Sequence, residues 1–366
     1  MEILVINPGS TSTKIAIYDN EKEKWSNNIK HSHDKLSEYN NVIDQLEWRQ
    51  KVIEENLKSS GFDINNITAI VARGGAGLDP ISGGTYKIDQ DMVKDLYNNK
   101  NAEHASNLAG IIAYNLSQEL DIPCYTVDPI SIDEFEPVAR LSGIPEIKRK
   151  CQSHALNLKA ISRKTANELN KNYEDINLIG VHLGGGISIA AIKKGKIIDV
   201  NNANQNGPYS PERCGTLPVL DFLEYIYEHN FKKEEVKKRL VGKGGLIAYL
   251  GTNDGVQIEK RIDNGDKNAE LIYNGMIYQI AKEIGSMAAV LDGNVDAIFI
   301  TGGLANSDYI IEKLIKKINF ISDIYVYPGA DELENLALGA YRVLNGKASP
   351  KIYSEEIINM GDKYDK

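Results

Sequence analysis

A chain of 366 residues with 42% hydrophobic and 25% charged residues has the make-up of a folded protein of roughly two domains, which excludes a disordered chain. Its formal net charge of −9, with Lys and Arg scattered among acidic residues, gives no electrostatic footprint for nucleic acid or for an anionic membrane. Any polyanionic ligand must therefore meet positive charge gathered locally. Cys124, Cys151 and Cys214 are far apart and lack CxxC spacing, so neither a disulfide framework nor a zinc site is expected. No basic leader precedes Leu4, and no run approaches the roughly 20 apolar residues of a membrane span. The expectation is a cytoplasmic protein.

In chain order, Leu4–Ile6, the small-residue turn Asn7–Thr13 and Lys14–Tyr18 read as strand, turn, strand, a hairpin and not a strand-to-helix crossover. Leu108, Ile112 and Leu116 recur at helical spacing, as do Leu158, Ile161 and Leu169. A second strand–turn–strand unit follows: Leu178–Val181, His182–Gly186, then Ile187–Ile192, with a further strand at Lys196–Val200. Aligning Ile6 with Val181 gives an offset of 181 − 6 = 175 residues. So long a period fits two related domains or a coincidental recurrence of a common motif, and not a solenoid. Ile277 to Leu291 reads as an amphipathic helix, Val295–Ile300 as a strand ending at Thr301-Gly302-Gly303, and Ile310 to Ile318 as a helix. Strands alternating with helices put the chain in the α/β class. The echo divides it into residues 1–177, residues 178–345 and a polar tail over 346–366.

Three turns follow apolar strands and consist almost wholly of residues that can bring backbone N–H groups to an anion: Asn7–Thr13, Gly184–Gly186 and Thr301–Gly303. Ser10, Ser12 and Lys14 share parity, so a strand starting there would turn a cation to the same side. Each turn alone can equally be an ordinary tight turn; three in one chain favour phosphate. The P-loop pattern, a GxGxxG between strand and helix, and the HRD and DFG triplets are absent from the sequence. Phosphate binding must rest on another architecture.

The run Asn7-Pro8-Gly9-Ser10-Thr11-Ser12-Thr13-Lys14 resembles the opening phosphate loop of the acetate and butyrate kinase family, and His182-Leu183-Gly184-Gly185-Gly186 resembles its second. The triple glycine is the form of the butyrate branch. Ser153-His154-Ala155-Leu156-Asn157, Asn202-Ala203, Gly207-Pro208-Tyr209-Ser210-Pro211-Glu212-Arg213 and Gly302-Gly303 extend the likeness from residue 3 to about 345. The resemblance implies two duplicated actin-like (ribonuclease H-like) domains with a central nucleotide cleft. Residues 1–177 would lie on the acid side and 178–345 on the nucleotide side, with the tail packing back on the first domain. It implies ATP/ADP and Mg2+ as cofactors, a small carboxylate as partner and a homo-oligomer, with no role for nucleic acid or membrane. The reaction implied is reversible transfer of the ATP γ-phosphoryl group to butyrate. Isobutyrate, then acetate or propionate, are the alternative acids. An ATP-gated chaperone-like protein is the alternative of another class, and it leaves His154 and Arg213 without purpose.

By the same resemblance, Arg213 holds the acid or the transferring phosphoryl group, His154 bonds the group in flight, and His104 stands near the acid. Asp128 matches a catalytic aspartate, although an Asp before Pro129 is also a common turn former. Glu332, with Asn7, serves the metal; Glu334 is close enough to compete. Asn7, Gly9, Ser10, Ser12, Lys14, His182, Gly184, Gly185, Gly186, Gly302 and Gly303 would surround the nucleotide's phosphates. Acetate kinases place an arginine three residues before a His-Gly-Gly triplet, a position held here by Ile70, so Arg73 or Arg140 must supply that cation. Ser153 stands where acetate kinases have phenylalanine, which leaves room for a longer acid. Each added methylene contributes only about 0.8 kcal/mol, so selectivity should be graded.

Overall fold

The computed structural model describes residues 1–329 and 331–357. Its elements in chain order begin β1 (Glu2–Pro8), β2 (Ser12–Asp19), β3 (Lys22–Lys30), α1 (His33–Ser37), α2 (Leu46–Ser59), β4 (Ile67–Ala72), β5 (Thr85–Lys87), α3 (Gln90–Tyr97), α4 (Ser106–Leu120) and β6 (Cys124–Val127). They continue with α5 (Ala155–Glu168), β7 (Asn177–Leu183), β8 (Ile187–Lys193), β9 (Lys196–Val200), α6 (Val219–His229), α7 (Lys233–Leu240), α8 (Gly245–Leu250) and α9 (Gly255–Asp263). The last are α10 (Lys267–Val290), β10 (Ala297–Gly302), α11 (Asp308–Ile318), β11 (Ile324–Pro328) and α12 (Glu332–Leu344). No helix among the described residues is long and apolar enough to cross a membrane.

The described residues sort into two compact units, 1–133 with 331–357, and 134–329. The first is built on a six-stranded sheet ordered β3-β2-β1-β4-β6-β5. β1 is buried from Ile3 to Pro8, as expected of a central strand covered on both faces. It pairs antiparallel with β2 and parallel with β4. The second unit has a five-stranded sheet ordered β11-β10-β7-β8-β9, in which β7 is buried throughout. β7 pairs antiparallel with β8 and parallel with β10.

The 175-residue echo is a repeat of topology. β3-β2-β1-β4-β6 and β9-β8-β7-β10-β11 are joined by the same sequence of antiparallel and parallel pairings. β1 and β7 start 177 − 2 = 175 residues apart, and β2 and β8 start 187 − 12 = 175 apart. The α/β reading and the hairpins therefore hold.

The units divide at Glu134 and Asp331, not at 177/178 and 345/346. The reason lies in which helix covers which sheet: α5 packs on β7 and β10, while α12 packs on β1, β4 and β6. Beyond α12, Lys351 bonds backbone to backbone with Thr85 and Lys87, and Tyr353 is fully buried with its hydroxyl on Asp95. Residues 358–366 of the tail lie outside the described residues.

α12 approaches the first sheet at Gly339, where an added Cβ would sit 2.4 Å from a methyl of Val127. In an open helix, Gly→Ala stabilises by about 1 kcal/mol. Here the methyl enters a packed interface, where overpacking costs about 1–3 kcal/mol. Gly339→Ala should therefore lower the thermal midpoint by about 2–4 °C. Gly285→Ala in α10, where nothing lies within 4 Å of the added carbon, should leave it unchanged or raise it. Differential scanning calorimetry of both variants checks the contrast; equal shifts would contradict it.

Candidate active site

In the first unit the turn between β1 and β2 is built around Arg49. This arginine follows the buried stripe of α2, Arg49, Ile53 and Leu57, and is 1% exposed. Its guanidinium donates to Gly9 O (2.9 Å), Ser10 O (3.2 Å), Ser12 O (3.4 Å) and Thr13 Oγ1 (3.2 Å), and its Nε to Gln45 Oε1 (3.0 Å). Burial lowers its pKa to about 10, which still leaves it charged at neutral pH. Thr13 Oγ1 also meets His31 Nε2 at 2.8 Å, and burial with the Arg49 charge pushes His31 down to about 4. Three loop carbonyls are thus drawn inward to one cation. Sequence reasoning missed Arg49, although a charged residue on an apolar helical stripe was the available signal.

Of the loop residues, Ser12 and Lys14 share a face of β2, whereas Ser10 lies outside the strand. The Gly9 N–H closes the turn on Ser12 O (2.7 Å), so Gly9 shapes the loop and its amide is already engaged. Asn7 Nδ2 donates to Glu332 Oε2 (2.7 Å), and Arg73 donates to Glu332 Oε1. Burial pushes the Glu332 carboxyl up, but Arg73, the Asn7 hydrogen bond and Lys14 outweigh it and hold it below the ordinary carboxylate range. Glu332, and not Glu334, is the carboxylate that meets Asn7; Glu334 is exposed in the first turn of α12.

Arg73 also acts on His104. Burial and the Arg73 charge lower the His104 pKa. Its Nδ1 accepts from Ser106 N (3.1 Å), which leaves the proton of the neutral ring on Nε2. Arg73, His104, Asn7, Lys14 and Glu332 therefore form one electrostatic group. Asp128 is 1% exposed, at φ +40°, and its Oδ1 accepts from Gly84 N (2.8 Å) while its own N–H donates to Gly84 O (2.9 Å). These two bonds hold the turn at Asp128 against Gly84.

In the second unit, the turn between β7 and β8 carries Gly184–Gly186. His182, 7% exposed, sends Nδ1 to Asn157 Oδ1 (2.9 Å). His154, the N-cap of α5, sends Nδ1 to the buried Ser188 Oγ (2.8 Å). The two imidazoles stack with centroids 4.0 Å apart and planes 16° apart. A Cβ on Gly184 would come within 3.1 Å of His182 Nε2, and one on Gly186 within 2.0 Å of Arg213 Nη1. The loop is thus bounded by His182 on one side and Arg213 on the other. Ser210 Oγ donates to Gly185 O (2.6 Å), and Glu212 Oε1 accepts from Asn253 Nδ2 (2.8 Å).

Arg213 is fixed through its backbone. Its O accepts from Ser210 N (3.0 Å), Glu212 O accepts from Gly242 N (2.7 Å), and Cys214 N donates to Leu240 O (3.1 Å). Burial lowers the Arg213 pKa and Glu212 raises it. Gly302 has φ +96°, and its Cβ would lie 2.3 Å from Leu183 O; only glycine fits there. Its N–H bonds Gly329 O (2.8 Å), as the Gly184 N–H bonds Gly186 O (3.1 Å). These two amides close turns within the unit, while Gly303 is exposed. Ser153 is buried, with no hydrogen-bond partner for its hydroxyl among the described residues. Arg140 stacks on Phe135, 5.7 Å from the ring centre. Asn157, Ser188 and Glu212 had no role in the sequence reading, because their partners lie on other elements.

The sequence pattern of the acetokinase family matches residues 146–338, more than half the chain. A protein of Caldanaerobacter subterraneus subsp. tengcongensis named probable butyrate kinase 2 is 51% identical over 352 residues, covering 96% of this chain and 99% of that one. Acetate kinase of Porphyromonas gingivalis superposes with a TM-score of 0.76 at 19% identity, over 94% of this chain and 99% of that one. Propionate kinase of Francisella tularensis subsp. tularensis does so with 0.71 at 20% identity, over 92% and 98%. The structural likenesses establish the actin-like fold, and the sequence match over nearly the whole length establishes the lineage: this chain belongs to the acetokinase family.

Proposed function

We propose that the protein transfers the γ-phosphoryl group of Mg-ATP reversibly to the carboxylate of butyrate, giving butyryl phosphate and ADP. The observation that carries the choice of acid is the 51% identity over 96% of the chain to a protein named a butyrate kinase. The buried serine at position 153 supports an acid longer than acetate, and isobutyrate is the nearest rival.

A carboxylate oxygen attacks the γ-phosphorus as the bond to the β–γ bridging oxygen breaks, and ADP leaves with that electron pair. Carboxylic acids are ionised at neutral pH, so the nucleophile needs no general base. What remains is in-line positioning and neutralisation of charge on the transferring group. Arg213 suits that task with its planar fork, and His154 and His182 present imidazoles near the same loop. Arg73 and His104 supply a cation and a neutral N–H donor, suited to the acid. Asn7, Ser10, Ser12, Lys14 and Gly184–Gly186 serve the phosphates, with Gly9 and Gly302 shaping the turns.

Glu332, an ionised carboxylate that accepts from the Asn7 amide nitrogen, suits a Mg2+ that takes its other ligands from phosphates and water. Among the described residues no three His, Cys, Asp or Glu gather into a protein-only metal cage, so the donor set fits a nucleotide-borne ion. When bound, the ion neutralises charge on the β- and γ-phosphate oxygens.

We also propose a homo-oligomer. α6 has no buried residue, and Leu220, Leu223 and Tyr227 stand 74%, 51% and 76% exposed along one face, at the i, i+3, i+7 spacing of a helix that packs on another.

Incubation with Mg-ATP, hydroxylamine and two- to six-carbon acids should give hydroxamate with a maximum at four carbons; a peak at two would sink the butyrate reading, and acid-independent hydroxamate the kinase reading. Arg213→Ala should lower turnover by about 100-fold or more, in the range of lost charge-stabilising donors, with an unchanged circular dichroism spectrum. Near-normal turnover would remove it from the site. Leu223→Glu with Tyr227→Glu should halve or further reduce the mass seen by light scattering after gel filtration; an unchanged mass would leave this face without that role.

A further inference from the structure

His154 and His182 arrive from different elements and stack at 4.0 Å, and each Nδ1 is held by a neutral side chain, Ser188 or Asn157. The Ser188 hydroxyl can donate or accept. Asn157 differs, because only half of its amide is engaged: Oδ1 meets His182, while Nδ2, in a residue 4% exposed, has no hydrogen-bond partner among the described residues. A buried orphan N–H is costly, so its presence beside a site histidine calls for a reason.

An amide oxygen can only accept, so this arrangement keeps a proton on His182 Nδ1. In the neutral ring Nε2 then carries a lone pair, and Nε2 is the atom that faces Gly184. A lone pair repels an anion. We infer that Asn157 is a positioning residue that makes anion binding at Gly184–Gly186 proton-linked: a proton from solvent joins His182 Nε2 as the nucleotide's phosphates arrive. The imidazolium then donates from both nitrogens, Nδ1–H to Asn157 and Nε2–H to a phosphate oxygen, and the proton returns to solvent on release. The inference rests on the phosphotransfer reading, which supplies the anion.

His154 stays neutral meanwhile, because two imidazoliums stacked at this distance would repel strongly. Charged groups among the described residues at the loop are Arg213 over Gly186 and Glu212 against Gly185, both from the 209–214 segment. α5 contributes His154 and Asn157, and β8 contributes Ser188. β10 adds Thr301, whose hydroxyl is bonded to Gly329 O (2.8 Å). Turning the Asn157 amide by half a rotation would instead put Nδ2 on His182 Nδ1. That arrangement gives a neutral Nε2–H donor and no proton uptake, so the two arrangements are distinguishable.

Titration calorimetry of Mg-ADP into the full chain at pH 8, in buffers of different ionisation enthalpy, counts the protons. The wild-type protein should take up close to one proton per ADP bound. Asn157→Asp, whose carboxylate holds the imidazolium before nucleotide arrives, should take up none and move the alkaline limb of kcat/KM to higher pH by more than about one unit. Asn157→Leu removes the acceptor and should move that limb to lower pH. A purely structural Asn157 would depress activity in both variants without opposite shifts. Failure of wild-type protein to bind Mg-ADP would defeat the phosphotransfer reading. Binding without proton uptake, or a limb unmoved in both variants, would overturn this inference alone. If Asn157→Leu does not fold, the wild-type proton count still decides.

Discussion

The first loop depends on a cation that faces away from solvent. Arg49, 1% exposed, gathers the carbonyls of Gly9, Ser10 and Ser12. A carbonyl held beneath the turn directs the opposite face of its peptide, the N–H, outward. The same guanidinium leaves a full positive charge under the loop, and His31 beside it stays neutral because of that charge and its own burial. Among the described residues no carboxylate pairs with Arg49, so its charge is dispersed over peptide dipoles and remains available to attract an anion. In a protein of net charge −9, such placement matters more than the count of basic residues.

Local charge is arranged differently in the two units. In the first, Glu332 holds Arg73 and Asn7 in place and is itself kept ionised by them. The cluster retains Lys14 as a further cation. In the second, Arg213 is positioned through backbone hydrogen bonds along 210–214 and the segment from Leu240 to Gly242, which leaves its guanidinium over Gly186. One arginine is oriented by a carboxylate and the other by its main chain. The second arrangement leaves the planar fork less committed, as a group meeting a changing phosphoryl charge requires.

The hairpins, their Gly turns, α4, α5, α10 and α11 were legible because buried strands and amphipathic helices write their periods directly into the chain. Val295 and Asp296 were read into β10, which starts at Ala297; apolar character alone does not mark where hydrogen bonding begins. The helices α6–α9 were not read. α6 does carry a helical period, with Asp221, Glu224 and Glu228 on its polar side, and an apolar face beside them stays exposed. The partnership of Asn7 with Glu332 spans 325 residues, and the covering of the first sheet by α12 is equally remote in sequence. Such facts arise from topology, which periodicity cannot report. The division by contacts at Glu134 and Asp331 differs from the division by the echo for this reason.

The repeat explains why the two loops differ. With an offset of 175, Asn7 corresponds to His182, Gly9 to Gly184, Ser10 to Gly185 and Thr11 to Gly186. Each turn places three residues between its strands, 9–11 and 184–186, and each begins with a glycine whose N–H closes the turn. Thr11 is exposed and carries a side chain without conflict, because the arginine of that unit lies beneath the loop. At Gly186 a methyl would meet Arg213 at 2.0 Å, and at Gly184 it would meet His182 at 3.1 Å. Glycine at 184 and 186 therefore leaves room for what lies over the second loop, while at Gly185 an added carbon would stand at an ordinary 3.4 Å from the Glu212 carboxylate. Where the cation moved from under the turn to above it, side chains had to leave the turn, and the same backbone device came to present a guanidinium and an imidazole in place of hydroxyls.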